Sequence, residues 1–256
     1  MITFPNAKIN LGLDVVEKRP DGYHNLETVF YPIPLCDILE ITPAKELDAP
    51  DYTFTMYNAV FEGSDDDNLV IKAYKALAAD HKLPKVDISL YKHIPTGAGL
   101  GGGSADAAFA LKMLNELCTL GLSEEQLACY AARLGSDCAF FVYNRPMIGE
   151  GRGEILAEYP IDLEAYDLQV ITPVGVAVST KEAYSGIRPH LPEIPLREAL
   201  ARPVEEWDGL LANDFEETVF VNHPELAAIK RSLYDSGAAY ASMSGSGSAL
   251  FALYRK

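Results

Sequence analysis

The sequence has few cysteines, little positive charge and no long apolar run. Its four cysteines form no CxxC pair and share no metal-like spacing with the five histidines, which argues against a disulfide framework and a zinc site. Its 21 lysines and arginines face 37 aspartates and glutamates, a net charge of −16. This balance argues against nucleic acid and anionic membrane surfaces as partners.

Targeting signals are also lacking. The chain contains no apolar stretch of about 18 residues, and its first residues lack a basic segment followed by an apolar one. We therefore expect a cytoplasmic protein with reduced thiols. A length of 256 residues with 48% hydrophobic residues suffices for two ordinary domains. We place their boundary near the GEGRGE turn, which gives domains 1–150 and 151–256.

Helical and strand-like patterns are mixed without a regular βαβ repeat, which predicts the α+β fold class. Alternation over residues 2–17 predicts a hairpin strand, and we expect further antiparallel strands within 26–41 and 51–61. Acidic and polar residues at 64–68 are expected to cap the helix that follows, and Ser123 another. Apolar periodicity predicts helices near 69–80, 104–118, 123–135, 180–186, 205–220 and 224–236.

A glycine-rich segment lies between a predicted strand at 86–91 and a predicted helix. Residues 97–104 read GAGLGGGS, and so many glycines lose much conformational entropy on folding. The cluster therefore indicates backbone that approaches another group closely or adopts positive φ. At a helix start the free N–H groups suit a phosphate. A flexible surface loop is the alternative, although a linker needs no helix directly after it.

Known phosphate motifs do not explain this segment. Gly97, Gly99 and Gly102 satisfy GxGxxG, but the preceding strand alternates and comes late in the chain, unlike that of a dinucleotide-binding fold. Gly103-Ser104 lacks the lysine of a Walker A loop, and the chain lacks the HRD and DFG segments of protein kinases. A phosphate bound here therefore requires a cation from elsewhere.

Lys8 is the candidate cation, because it lies in an apolar strand on the face that it shares with Asn6 and Asn10. A lysine that extends to the surface is the alternative. Asp137 precedes the apolar run CAFFV, where an acid is costly to bury unless it is paired or functional. A helix cap or a structural ion pair is its alternative. The small residues of 242–248 would let two backbones or a ligand come close, and a tight turn is the alternative.

Three separated segments resemble the motifs of the GHMP small-molecule kinases, in the same order. They are NAKIN near the start, PTGAGLGGGSADAA in the middle and SGSGSALF near the end. The chain also contains AKxN together with DGYH, LGSDCAFFV and VSTKEAY. This combination resembles the branch of the family whose acceptor carries a cytidine diphosphate group. The family implies a first domain similar to domain 2 of ribosomal protein S5, a ferredoxin-like second domain, and an active site in the cleft between them.

This resemblance implies an enzyme that uses ATP and Mg²⁺ to phosphorylate a small-molecule hydroxyl. It implies Lys8 and Asp137 as the catalytic pair, with Asp137 acting on the substrate proton and Lys8 on the developing alkoxide. It implies Ser104 as a weak contact for Mg²⁺. In the family the glycine loop wraps the nucleotide phosphates, a role carried over to Pro95, Gly97, Gly99, Leu100, Gly101, Gly102, Gly103 and Ser104.

The same resemblance implies the substrate contacts. Asn10 would place the substrate, His24 beside Tyr23 would read the cytosine edge, and Tyr184 would stack on the base. Taken alone, His24 is typical of a surface histidine. The third motif adds Gly245, Ser246 and Gly247 to the implied substrate-binding residues.

Two positions depart from the family pattern without touching the implied catalytic pair. Ala105 replaces the second serine after the glycines, and Asn6 replaces the proline before Ala-Lys. Homoserine, mevalonate and sugar kinases share the glycine loop without AKxN and DGYH, and they remain an alternative, as does a catalytically silent nucleotide-binding scaffold. We expect a monomer or homodimer that binds a small molecule and neither nucleic acid nor membrane.

Overall fold

The computed structural model describes residues 1–256 except 46, 47, 49 and 60–62. The chain divides into two compact units that interleave along the sequence. The first unit comprises Met1–Ala7, Pro32–Thr96 and Gly101–Arg145, and the second comprises Lys8–Tyr31, Gly97–Leu100 and Pro146–Lys256. The domain boundary expected at residue 150 stays a prediction.

The described strands form sheets with the orders β1-β4-β6-β5, β2-β3-β7-β8 and β10-β11-β9. Their bounds are β1 (Ile2–Thr3), β2 (Asn6–Lys18), β3 (His24–Cys36), β4 (Ile38–Pro43), β5 (Tyr52–Tyr57), β6 (Val86–Tyr91), β7 (Met147–Glu150), β8 (Ile155–Glu158), β9 (Tyr166–Ile171), β10 (Tyr240–Met243) and β11 (Leu250–Arg255). The predicted hairpin is confirmed, since β2 and β3 are neighbours joined by a turn in which the Arg19 N–H donates to the Tyr23 carbonyl at 2.8 Å.

Helices occur in both units. Their bounds are α1 (Leu69–Ala78), α2 (Gly102–Leu117), α3 (Glu124–Ala132), α4 (Cys138–Tyr143), α5 (Thr180–Ser185), α6 (Leu196–Leu200), α7 (Phe215–Asn222) and α8 (Pro224–Asp235), with 3₁₀ turns at Asp65–Asp67 and Val204–Glu206. Helices and mainly antiparallel sheets are mixed in both units, which confirms the α+β class. Among the described residues, no helix is long and apolar enough to cross a bilayer.

In the first unit, the sheet of β1, β4, β5 and β6 buries one face. Along β6, Val86, Ile88 and Leu90 are buried, as the alternating pattern predicts. The expectation of an antiparallel strand within 51–61 is wrong for β5, which pairs in parallel with β6. Helix α1 lies between these strands in the chain, and a crossover of this kind returns the chain in the same direction. Residues 60 and 61 lie outside the described residues.

Local signals explain where the helices begin. Asn68 caps α1 by accepting from the Val70 N–H, and Ser123 forms a capping box with Gln126 at α3, so both predicted caps are confirmed. Helix α2 begins two residues earlier than predicted, at Gly102. Glycine is compatible with the first turn of a helix, but Gly102 and Gly103 carry no apolar side chain. The apolar periodicity therefore does not show that the helix starts at Gly102.

The second unit packs α5, α7 and α8 around the sheet of β9, β10 and β11. The hydrophobic core of this unit includes Leu13, Val15, Phe215, Val219, Leu226 and Leu250. The helix predicted over 205–220 is wrong in its first part, because α7 begins only at Phe215. Before it, the chain turns at Gly209, whose φ of +78° is left-handed. Trp207 is buried and donates its Nε1–H to the Arg202 carbonyl.

Candidate active site

Lys8 lies on β2 with its ammonium group inside the second unit. The residue is 3% exposed, so the surface-lysine alternative is wrong. Its Nζ donates to Asn10 Oδ1 at 2.6 Å and to the Gly99 carbonyl oxygen at 3.0 Å. The Nζ also lies 5.5 Å from the centre of the Phe30 ring. The predicted shared face of Lys8 and Asn10 is therefore confirmed.

Asn10 extends this hydrogen-bond network away from Lys8. Because its Oδ1 accepts from Lys8, its Nδ2 is oriented the other way and donates to Thr28 Oγ1 at 3.0 Å. The Thr28 hydroxyl in turn donates to the Gly12 carbonyl at 2.5 Å. Both side chains are buried. Satisfied partners in a buried network fix each group, so the position of the Lys8 ammonium is tightly determined.

Gly99 is the point where the glycine loop contacts the third motif. Its φ is +75°, and a Cβ built there would lie 2.0 Å from the Ser244 carbonyl oxygen. No side chain fits that space, so the prediction that the glycine cluster reflects close approach and positive φ is confirmed at this position. The Gly99 carbonyl accepts from Ser244 Oγ at 2.9 Å as well as from Lys8.

The third motif forms a turn, in which the Gly247 N–H donates to the Ser244 carbonyl at 3.0 Å. The turn alternative is thus correct, and the backbone also approaches the Lys8 network. A Cβ at Gly245 would lie 3.2 Å from the Gly99 carbonyl oxygen and 3.4 Å from Asn10 Oδ1. Ser246 is placed on the same turn, 3.5 Å from Thr180 Oγ1. The substrate contacts of Gly245, Ser246 and Gly247 stay a prediction.

The second half of the glycine loop begins α2 in the first unit. Gly101 is the N-cap, with φ +73° and no side-chain cap hydrogen bond. The first N–H groups of a helix have no partner within the helix, and the positive end of its dipole lies there. A Cβ at Gly103 would come no nearer than 3.8 Å to Leu69, so the backbone is open on that side. This geometry fits a phosphate group.

Ser104 lies in the first turn of α2, beside Cys138. Burial raises the pKa of the Cys138 thiol to about 11, and a hydrogen bond from Ser104 partly opposes this rise. The thiol is therefore neutral at physiological pH. Within the described residues no group of three or more His, Cys, Asp or Glu side chains could hold a metal ion.

Three buried residues of the first unit, Asp37, Lys92 and Asp106, form a charged triad. Lys92 Nζ, just after β6, donates to Asp106 Oδ2 at 2.6 Å and to a carboxylate oxygen of Asp37. Asp37 also accepts from the His93 and Ile94 N–H groups. Burial raises the pKa of Asp106 to about 7, against the lowering effect of Lys92. Asp106 Oδ1 is buried and finds no partner among the described residues.

Asp137 is the N-cap residue of α4 in the first unit. Its carboxylate makes no cap hydrogen bond with that helix, so the helix-cap alternative is not supported. The Ser136 hydroxyl donates to Asp137 Oδ1 at 3.3 Å. The apolar residues that follow form α4, and all but the last are buried.

The predicted base-binding residues come together in the second unit. The rings of His24 and Tyr184 stack with centroids 4.8 Å apart and planes 19° apart, and Tyr184 packs edge-on against Phe215 at 4.7 Å. Burial, with a smaller effect of Lys18, lowers the pKa of His24. Its imidazole is therefore neutral at pH 7 and offers one donor and one acceptor.

Tyr23 directly precedes His24 in the sequence, and the residue is 55% exposed. The Arg152 guanidinium lies 4.8 Å from the Tyr23 ring centre. An exposed aromatic ring is a surface on which a base can pack.

Thr28 and Ser244 of the Lys8 network were not predicted from sequence, and neither was Asn213, whose Nδ2 donates to the Met243 and Gly245 carbonyls of the third motif. Thr28 looked like an ordinary strand residue, and Ser244 was one of several serines in a small-residue run. Asn213 falls within the helix predicted over 205–220, so the prediction places no helix start there. Its position directly before Asp214 and Phe215 is a helix-start signal that could have revealed it.

Family comparisons cover most of the chain. The family described as GHMP kinases N terminal domain matches residues 68–145, and the one described as GHMP kinases C terminal matches residues 196–256. A 4-diphosphocytidyl-2-C-methyl-D-erythritol kinase of Bacteroides thetaiotaomicron is 56% identical over 254 residues. That match covers 99% of this chain and 92% of the relative.

Solved structures agree with the sequence relatives. A crystal structure of 4-(cytidine 5'-diphospho)-2C-methyl-D-erythritol kinase matches with a TM-score of 0.80 at 34% identity, covering 99% of this chain and 90% of that one. The homoserine kinase of Cytophaga hutchinsonii matches with a TM-score of 0.68 at 16% identity, covering 98% of this chain and 85% of that one. The latter likeness shows the fold alone.

Proposed function

Because this chain belongs to the GHMP kinases, and within them to the 4-diphosphocytidyl-2-C-methyl-D-erythritol kinases, we propose that it transfers the γ-phosphoryl group of ATP to the 2-hydroxyl of that cytidine-linked alcohol. The reaction belongs to the non-mevalonate route to isoprenoid precursors. The observation that carries the proposal is the buried Lys8 ammonium, held against the carbonyl of Gly99 in the glycine loop.

The glycine loop would hold the phosphates of ATP. The uncapped start of α2 supplies N–H donors and a positive dipole end. Pro95, at the start of the loop, is exposed, and Leu100 is buried and anchors it. Mg²⁺, when bound, offsets charge on the phosphates. In this proposal the ion is held chiefly by those phosphates and water, with Ser104 as the protein contact.

Lys8 and Asp137 would act on the reacting hydroxyl. A bond forms between the 2-hydroxyl oxygen and the γ-phosphorus, the bond from that phosphorus to the β,γ-bridging oxygen breaks, and ADP leaves. The hydroxyl proton passes to Asp137. Lys8 stabilises the developing negative charge on the oxygen, and because Asn10 and Gly99 fix its ammonium group, little reorganisation is needed.

The cytidine group would be bound by His24, Tyr23 and Tyr184. Neutral His24 has the donor and acceptor needed for the base edge, and the tyrosine rings offer stacking surfaces. Asn10 would contact the substrate from its place beside Lys8. Stacking and neutral hydrogen bonds need no net positive charge, which accords with a net charge of −16.

The test is ADP release from Mg-ATP with 4-diphosphocytidyl-2-C-methyl-D-erythritol, compared with homoserine, mevalonate and galactose. We expect turnover with the cytidine substrate only. Turnover with a different acceptor would keep the kinase and replace its substrate. ATP binding without turnover on any acceptor would contradict the proposal and favour the silent scaffold.

A further inference from the structure

Asn213 is a buried amide that connects strand β2 to the third glycine motif. It is 2% exposed, and it lies beside β2 because Leu13 exchanges backbone hydrogen bonds with Ala212 and Asp214. Strand β2 also carries Lys8 and Asn10. The amide therefore stands next to the strand that supplies the proposed catalytic lysine.

All the hydrogen-bonding groups of this side chain point at backbone. Its Nδ2 donates to the Met243 carbonyl at 2.7 Å and to the Gly245 carbonyl at 2.8 Å. Its Oδ1 accepts from the Phe215 N–H at 3.0 Å. One side chain thus fixes both ends of the segment that carries Ser244.

Ser244 passes this constraint to the glycine loop. Its hydroxyl donates to the Gly99 carbonyl at 2.9 Å, and the Ala249 N–H donates to the Ala98 carbonyl at 3.1 Å. The absence of a side chain at Gly99 allows its backbone to lie directly against Ser244. The same Gly99 carbonyl accepts from Lys8 Nζ at 3.0 Å.

We propose that Asn213 is a positioning residue for phosphoryl transfer, which holds Ser244 against Gly99 and thereby fixes the carbonyl that orients the Lys8 ammonium. This inference rests on the proposed function. It assigns to the third motif a supporting task within the protein, in addition to any contact with substrate. Misplacement of a catalytic group by about 1 Å can lower a rate by about 10²-fold.

Asn213→Asp tests this role, because it keeps the volume and the acceptor for Phe215 but replaces the donating NH₂ with oxygen. We expect kcat per folded molecule to fall about 10- to 100-fold, with a smaller change in the KM of the cytidine substrate. Ser244→Ala, which removes only the hydroxyl donor, should lower kcat about 3- to 10-fold. Should Asn213→Asp fail to fold, Ser244→Ala still tests the link to Gly99.

A double-mutant cycle separates positioning from general stability. If both residues act through Gly99, the Asn213→Asp/Ser244→Ala double variant should have nearly the kcat of Asn213→Asp alone. Asn115→Asp is the matched control, because its amide also bonds backbone, at Leu122, in the other unit. It should lower the melting temperature without lowering kcat. Unchanged kcat in Asn213→Asp and Ser244→Ala, or fully multiplicative effects, would overturn the inference.

Hydrogen exchange provides a readout that does not depend on turnover. The Ala249 amide bonds to the glycine loop, so Asn213→Asp should reduce its protection at least 10-fold, whereas Asn115→Asp should not. If the wild-type protein phosphorylates no acceptor, the proposed function fails while exchange still tests the support of the loop. Unchanged protection of Ala249 would contradict that support.

Discussion

Lys8 and Lys92 are both buried lysines, one in each unit of the chain. In the second unit, Lys8 donates to an amide oxygen and a backbone carbonyl. In the first unit, Lys92 donates to the carboxylates of Asp37 and Asp106. The two residues are 3% and 7% exposed, so their depth of burial is alike.

The contacts support a separate role for each lysine. Lys92 is paired with the carboxyl groups of Asp37 and Asp106, and the triad ties the end of β6 to α2, which is a structural task. The Asn10 and Gly99 oxygens orient the Lys8 ammonium group beside the glycine loop. We propose that Lys8 acts in the chemistry and that Lys92 stabilises the link between β6 and α2, and variants of each can separate these roles.

Lys8→Met should have the largest effect on turnover. We expect kcat to fall about 10²- to 10⁴-fold, because the positive charge that stabilises the reacting oxygen is lost. Steady-state ADP release with saturating substrates measures the change. Lys72→Met, which alters an exposed lysine of α1, serves as the control and should retain full turnover. A wild-type kcat in Lys8→Met would contradict a catalytic role for Lys8.

Lys92→Met should have the largest effect on stability. It leaves Asp37 and Asp106 buried without their cation, and breaking a buried ion pair costs about 3 to 5 kcal/mol. Urea unfolding at pH 8 measures the loss, with Lys72→Met again as the control. A loss below about 1 kcal/mol would show that the triad is not the structural element that its geometry suggests.

His24 is a third basic residue, and it differs from Lys8 and Lys92 because its side chain is neutral at pH 7. Burial lowers its pKa, so His24→Ala removes hydrogen-bonding capacity and not charge. We expect the KM of the cytidine substrate to rise about 10-fold with kcat nearly unchanged, since uniform binding is lost. His81→Ala in the first unit is the control. A defect confined to the KM of ATP would contradict the assignment.

Asp14 extends the comparison to a buried acid of the second unit. Burial, and then the charges of Asp214 and Glu27, raise its pKa to about 7. A raised folded-state pKa means that stability is complete below the unfolded value and is lost as pH rises through 7. Asp14→Asn should match wild type at pH 4 and be up to about 4 kcal/mol more stable at pH 8, because the pKa is raised from 3.8 to about 7 in the folded state.

Urea unfolding at both pH values measures this change. The control is Asp167→Asn, whose side chain is 75% exposed. Equal stability of Asp14→Asn and wild type at pH 8 would show that the Asp14 carboxyl is ionised without penalty.

Local pattern was enough to predict the parts of the site that lie close together in sequence. The period of two along β2 placed Lys8 and Asn10 on one face, and the glycine cluster marked the unusual backbone at Gly99. These predictions succeed because backbone period and the steric freedom of glycine are properties of neighbouring residues.

Long-range partners were beyond such reasoning. Asp37, Lys92 and Asp106 form one triad from a loop, a strand end and a helix, and nothing in their spacing indicates the contact. The parallel direction of β5 and the pairing of Asn213 beside Leu13 likewise depend on tertiary packing. Burial of a polar group requires a partner, but sequence alone does not say which residue supplies it.

The most direct test is ADP release from Mg-ATP with 4-diphosphocytidyl-2-C-methyl-D-erythritol by wild type and Asp137→Asn, measured alongside their unfolding free energies. The account predicts turnover in wild type and a loss of about 10²- to 10⁴-fold in the variant, with near-native stability. Undiminished turnover in Asp137→Asn would remove this carboxylate from the chemistry and contradict the catalytic pair.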